Sequence, residues 1–183
     1  MRLKPQQTQY VATKVGIDLA NTSFITILKG REAVVEAVRK IIDENLKNEH
    51  RLDEKVKDIL DENYDEIEFQ HADERQLFFM IKKKMAPEYG VIMNYDDRYN
   101  DLAHIILDEL YENYLIEYDV NENKIKNVIF KAFKAFADAY DEIDDIVYNK
   151  IRGMEKEVII GTQDYELLYE RFYQEELAKR GML

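Results

Sequence analysis

Apolar side chains recur along this 183-residue chain with the pitch of an α-helix nearly from end to end. From Glu32 to Leu46 they fall at Val34, Val38, Ile41 and Ile42, with Ala37 and Leu46 flanking the stripe. On the opposite side Glu36–Lys40 and Asp43–Lys47 set an acid four residues before a base, the favourable order on a helix. A shorter segment carries Leu52, Val56, Ile59 and Leu60. A third carries Leu77, Phe78, Ile81 and Met85, with Asp73 as its expected N-cap and Pro87 and Gly90 as its stop. The second half reads alike: Leu102, Ile106 and Leu110, then Ile125, Val128, Ile129, Phe133 and Phe136, then Ile143, Val147 and Ile151. A last stripe runs through Tyr165, Leu168, Tyr169, Phe172 and Tyr173 before Gly181. Two short apolar runs, Phe24–Leu28 and Val158–Ile160, read as buried connectors rather than strands. The expectation is an all-α protein.

The stripes also repeat. At an offset of 91 residues Ala12 meets Ala103, Leu19 meets Leu110, Ile25 meets Ile116, Lys40 meets Lys131 and Asp53 meets Asp144. Further along, Val56 meets Val147, Glu66 meets Glu157, Asp73 meets Asp164, Leu77 meets Leu168 and Gly90 meets Gly181. These are ten identities in 92 aligned pairs, against about six expected from composition. The reading is two tandem, similar four-helix units, residues 1–91 and 92–183, joined near residues 86–96. Units this small bury a modest fraction of their surface, so they are expected to share a core or lean on each other, in an elongated bundle.

Composition narrows the classes of function. Hydrophobic residues make up 46% and charged residues 35%, which a globular chain allows. Six glycines and two prolines argue against β-rich folds and nucleotide-binding loops. The absence of cysteine removes disulfides, thiolate catalysis and cysteine-based zinc sites. No apolar stretch reaches the ~20 residues needed to cross a bilayer, and no secretion signal opens the chain, so a cytoplasmic location without membrane contact is expected. A Glu/Lys-rich, cysteine-free composition is also what thermophilic proteins tend to show. The formal net charge of -12 is uneven. Residues 1–91 hold 15 bases and 17 acids, net -2; the remainder holds 11 and 21, net -10. A phosphate backbone would have to be met by the first half.

The closing segment Gly161-Thr162-Gln163-Asp164-Tyr165-Glu166-Leu167-Leu168-Tyr169-Glu170-Arg171-Phe172-Tyr173-Gln174-Glu175-Glu176-Leu177-Ala178-Lys179-Arg180-Gly181, with the opening Met1-Arg2-Leu3 and the helix Ile143–Ile151, resembles a bacterial family. That family is known as domain of unknown function 507. The resemblance is specific over about the last 40 residues and implies a helical, bacterial, cytoplasmic protein. It assigns no catalytic residue. The corresponding stretch of the first half, Phe78–Lys84, departs from that ending, which points to the second half for whatever the ending does.

Chemistry is sparse. His50, His71 and His104 form no i,i+4 pair. His50 with Glu49 and Asp53, or His104 with Asp101, Asp108 and Glu109, are the nearest approaches to a metal site, and surface histidines explain them more simply. No phosphate-binding glycine pattern occurs, and Ser23 is the sole serine. No catalytic, cofactor or metal residue is therefore assigned. Two surfaces stand out. Phe79, Lys82, Lys83 and Lys84 could meet nucleic acid, although lysines capping a helix C-terminus is the simpler reading. Tyr165, Tyr169, Arg171, Tyr173, Lys179 and Arg180 make a candidate protein interface, with Tyr169 and Tyr173 at the edge of the packed face. The leading expectation is a non-enzymatic interaction or scaffold protein that binds a protein partner or itself. A nucleic-acid-associated factor is the alternative and a metal-dependent enzyme the third.

Overall fold

The computed structural model describes residues 3–154, 160 and 162–182, the side chain of Asp141 excepted. Among these residues seven α-helices and one two-stranded sheet follow in the order α1 (Thr8–Ala20), β1 (Ile25–Ile27), α2 (Arg31–Glu62), α3 (Tyr64–Phe69), α4 (Glu74–Met85), α5 (Tyr95–Glu112), β2 (Ile116–Tyr118), α6 (Glu122–Arg152) and α7 (Gln163–Lys179). The protein is all-α, as its periodicity predicts.

Two stretches expected as separate helices are single long ones. α2 runs unbroken through Asn45–Glu49, with no glycine or proline to end it, and its buried stripe reads Val34, Val38, Ile42, Glu49, Leu52, Val56 and Leu60. The stripe looked interrupted because two of its inward positions, Asn45 and Glu49, are polar and meet a partner described below. α6 likewise joins the Ile125–Phe136 and Ile143–Ile151 stripes through buried Tyr140. With 32 residues, α2 is about 48 Å long. The accessible surface is 11552 Å², about a quarter above the roughly 9,300 Å² of a compact monomer of this mass.

The expected connector at Phe24–Leu28 contains a strand. Ile25, Thr26 and Ile27 pair antiparallel with Tyr118, Glu117 and Ile116, and Leu28 N–H donates to the Leu115 carbonyl at 2.9 Å. β-branched side chains and aromatic partners favour the extended form over three residues. Of the other expected connector, Ile160 is exposed; Val158 and Ile159 lie outside the described residues, as do Glu157 and Gly161.

Helix ends follow the sequence signals. Asp73 accepts from the N–H groups of Arg75 and Gln76 at 2.9 and 3.1 Å and so caps α4. Gly90 and Gly181 take positive φ (63° and 67°), and just beyond them Val91 N–H donates to Ala86 O and Met182 N–H to Leu177 O, closing both chain reversals the same way.

One principal core draws on both halves of the chain. α1 buries Val11, Ala12, Val15 and Leu19 against both α2 and α6, while α5 buries Leu102, Ala103, Ile106 and Leu110 against the same two helices. α7 closes over α6, and α4 over α2. A smaller apolar cluster, Leu52, Val56, Leu60, Ala86 and Val91, lies where α2 meets α4 and its trailing turn. Several corresponding features lie 91 residues apart: β1 and β2, the starts of α2 and α6, and the two reversal glycines. Thr26 faces Glu117 at the centre of the strand pair, and these too are 91 apart.

Gly16 sits inside α1, where glycine costs about 1 kcal/mol relative to alanine. A Cβ there would stand 2.6 Å from Val35 Cγ2, so the bare backbone is what lets α2 approach. Gly16→Ala is expected to destabilise the fold by roughly 1–3 kcal/mol through overpacking, and Val35→Ala in the same chain to recover part of that loss. Denaturant unfolding of the three variants checks this; a more stable Gly16→Ala single variant would refute it.

Candidate functional site

A cleft of about 530 Å³ opens where the start of the chain, α6 and α7 meet. Its aromatic lining comes from three helices. Tyr10 projects from α1, Tyr140 from α6, and Tyr165, Tyr169 and Tyr173 from successive turns of α7. The α7 rings stack as a column, with centroids 6.2 Å apart for Tyr165–Tyr169 and 5.8 Å for Tyr169–Tyr173, while Tyr140 meets Tyr173 edge-on at 5.9 Å. Polar groups edge the column. Tyr169 donates to Asp144 Oδ1. Tyr10 donates to Glu170 Oε1 at 2.5 Å. Lys4 Nζ donates to the Tyr140 hydroxyl at 2.9 Å and lies 5.3 Å from that ring's centroid.

The hydroxyls of Tyr10, Tyr165, Tyr169 and Tyr173 remain protonated at neutral pH. Burial pushes Tyr169 and Tyr173 well above the ordinary phenol range, and the bond to Asp144 pushes Tyr169 in the same direction. Burial also raises Tyr10 and Tyr165. The Lys4 ammonium is held above its ordinary value, first by its hydrogen bond to Tyr140 and, against the cost of burial, by the charge of Asp144. At the floor, Gln7 Nε2 and the Tyr173 hydroxyl belong to residues only 3% exposed and close no hydrogen bond of ordinary geometry.

Of the six interface residues expected on α7 and its end, the cleft gathers Tyr165, Tyr169 and Tyr173. Tyr173 is not at an exposed edge: α7 turns the Tyr169–Tyr173–Leu177 line inward, leaving Leu168 and Phe172 half-buried and Leu167 exposed. Arg171, Lys179 and Arg180 lie off the cleft and pair with Glu175, Glu176 and Glu142 respectively. The basic patch loses a member. Phe79, Lys83 and Lys84 are exposed, but Lys82 is 5% exposed and turned into the protein.

Lys82 belongs to a buried charge layer joining α2, α4 and the start of α5. Its Nζ lies 2.9 Å from Glu49 Oε1 and 2.6 Å from Asp53 Oδ1. Arg98 reaches Glu49 Oε2 at 2.7 Å, and its Nε donates to Asn45 Oδ1 at 2.6 Å. Glu49 and Asp53, the carboxylates nearest His50 in sequence, are thus committed to cations, while His50 faces solvent. Among the described residues, no group of three or more His, Asp or Glu side chains is arranged to hold a metal ion, and no helix is long and apolar enough to cross a membrane.

The cleft and the charge layer correspond position by position. Glu49, Asp53 and Lys82 lie 91 residues before Tyr140, Asp144 and Tyr173, and Arg98 lies 91 residues after Gln7. One pit is made by α2, α4 and the start of α5, the other by α6, α7 and the turn leading into α1. Asp144 shares its identity with Asp53 at the 91-residue offset, but the sequence does not mark it as a cleft residue. Neither it nor Lys4, Gln7, Tyr10 and Tyr140 could be singled out in the sequence, because only tertiary structure brings them to α7.

These features define a helical-bundle protein with one filled polar pit and one open, aromatic one. By its sequence the chain belongs to the family described as protein of unknown function (DUF507), which matches residues 1–182. No curated protein matches it.

Burial would raise the Glu49 pKa, but the hydrogen bonds and charges of Arg98 and Lys82 outweigh it and hold the carboxyl below its ordinary value. A depressed carboxyl contributes stability that is present above its unfolded pKa, about 4.5, and lost as pH falls through the folded value. Glu49→Gln is therefore expected to cost roughly 3–5 kcal/mol at neutral pH, as for a broken buried pair, with the gap to wild type narrowing below about pH 4.5. Denaturant unfolding across that range tests it; a gap independent of pH would rule out the charge as its source.

Proposed function

We propose that this protein is a non-enzymatic helical adaptor of the bacterial cytoplasm, and that the tyrosine cleft is where a segment of a partner polypeptide docks. The observation that carries this reading is the cleft itself: five tyrosines, two of them half-buried on α7, around a volume open to solvent. Tyrosine is an effective interface anchor because it offers a large rigid face and a hydroxyl for little conformational entropy. In this reading the two halves, residues 1–91 and 92–183, are copies of one unit. The first copy's pit serves stability and the second's serves binding. The tail of α7, with Arg171, Lys179 and Arg180, would form the rim of a larger contact.

Nucleic-acid binding by the first half is a weaker reading, since it retains only Phe79, Lys83 and Lys84 on an acidic protein.

A photo-cross-linking residue in place of Glu166, at the cleft, is expected to trap a discrete partner in living cells, whereas the same residue in place of Glu74 on α4 should not. Tyr169→Ala should abolish the Glu166 adduct. Adducts of equal yield at both positions, or an adduct indifferent to Tyr169→Ala, would dismiss the cleft as the docking site.

A further inference from the structure

Building on the cleft as a docking site, we infer that the group it receives is the guanidinium of an arginine on the partner polypeptide. The filled pit shows the chemistry. There, Arg98 and Lys82 supply two cations to Glu49 and Asp53, all four buried. In the open pit the position matching Asp53 is still an aspartate, Asp144, but those matching Arg98 and Lys82 are Gln7 and Tyr173. Glutamine is shorter than arginine and neither replacement carries charge. The carboxylate remains while its internal cations are gone, and space stands in their place.

Three further observations agree. The charged side chains lining the cleft are one ammonium, Lys4, and three carboxylates, Asp144, Glu166 and Glu170, a net charge of -2 before any ligand arrives. Gln7 and Tyr173 are buried at the floor and set an amide and a hydroxyl against each other where the filled pit holds its two cations. Finally, Lys4, an exposed residue, already brings its ammonium to the Tyr140 hydroxyl, within the field of Asp144, as an internal stand-in for a bound cation. A guanidinium suits the site better than an ammonium, because its plane stacks on aromatic faces while its fork engages a carboxylate.

The test uses an acetylated, amidated heptapeptide with one central arginine, and its twin carrying citrulline, which has nearly the same shape but no charge. Binding is followed by NMR of ¹³C-labelled tyrosine rings in the full chain. The arginine peptide is expected to shift Tyr165, Tyr169 and Tyr140 and to bind roughly tenfold tighter than its twin. Asp144→Asn should remove that preference. Lys4→Met should tighten binding several-fold and Lys55→Met, an exposed charge on α2, should not; a gain in affinity cannot come from misfolding. Equal binding of both peptides, with the same tyrosine shifts, would overturn the arginine assignment and leave the docking cleft standing. Shifts spread over rings outside the cleft, or equal gains from Lys4→Met and Lys55→Met, would reduce the effect to general attraction by an acidic surface and overturn the inference. Loss of the Glu166 cross-link is the separate result that would remove the docking site itself.

Discussion

The fold depends on an exchange of first helices between the two halves of the chain. α1 packs on its own α2 but also on α6, and α5 packs on α6 but also on α2. Val11, Val15 and Leu19 on one side, and Leu102, Ile106 and Leu110 on the other, are buried by this crosswise contact. A half-chain cut at residue 91 would leave α2 without α5 and expose much of that surface, so neither half has a complete core of its own. The strand pair sits at the crossing, where Thr26 and Glu117 face each other. Both polar pits follow from the exchange, because each is closed by a residue carried over from the other half: Arg98 at one, Gln7 at the other.

The charge layer between the two apolar clusters adds specificity more than stability. Desolvating two acids and two bases is costly, and apolar side chains of similar volume would often serve as well or better. What the layer does is penalise misalignment. Were α4 to slide one turn along α2, Lys82 would be buried away from Glu49 and Asp53, at a cost of several kcal/mol for an unpaired ion. The apolar side chains of α4, among them Phe78, Ile81 and Met85, would tolerate such a slip with far less loss, since apolar contact is not directional.

Much of this architecture was legible in the sequence, and the failures have specific causes. Periodicity located every long helix except α1, whose stripe is broken by Gly16 and diluted by threonines and glutamine. It cut α2 in two because Asn45 and Glu49 occupy inward positions, and nothing local announces that Arg98 will meet them 49 residues away from Glu49. Caps and stops depend on neighbours in sequence, and Asp73, Gly90 and Gly181 were placed correctly. The strands were missed because three residues give too short a pattern, and pairing with Ile116–Tyr118 is decided by the bundle. On α7 the aromatic stripe was seen, but a rotation of one residue's turn separates Leu168–Phe172 from Tyr169–Tyr173, and only packing against Tyr140 and Tyr10 chooses between them. The cleft was invisible for the same reason that sites usually are: its floor, wall and rim come from residues as far apart as Lys4 and Tyr173.

The contrast between the pits shows how burial alone can separate a strut from an exchangeable contact. Lys82 and Lys4 both bring an ammonium near an aspartate at matching positions, Asp53 and Asp144. Lys82 is enclosed, so withdrawing it would strand carboxylates in a medium where an unpaired charge is prohibitive. Lys4 is exposed and donates to the Tyr140 hydroxyl, a partner that water can replace, and its attraction to Asp144 is weaker than the roughly 0–1 kcal/mol of an average exposed ion pair. Asp144 does not depend on Lys4 in any case, because the Tyr169 hydroxyl already donates to it. A competing cation that also stacked on the tyrosine rings would therefore need to offer only slightly more than Lys4 does to displace it. That is the condition for a site that is occupied reversibly, and it goes with a tyrosine and a glutamine at the positions 91 residues from the buried lysine and arginine, beside a carboxylate common to both pits.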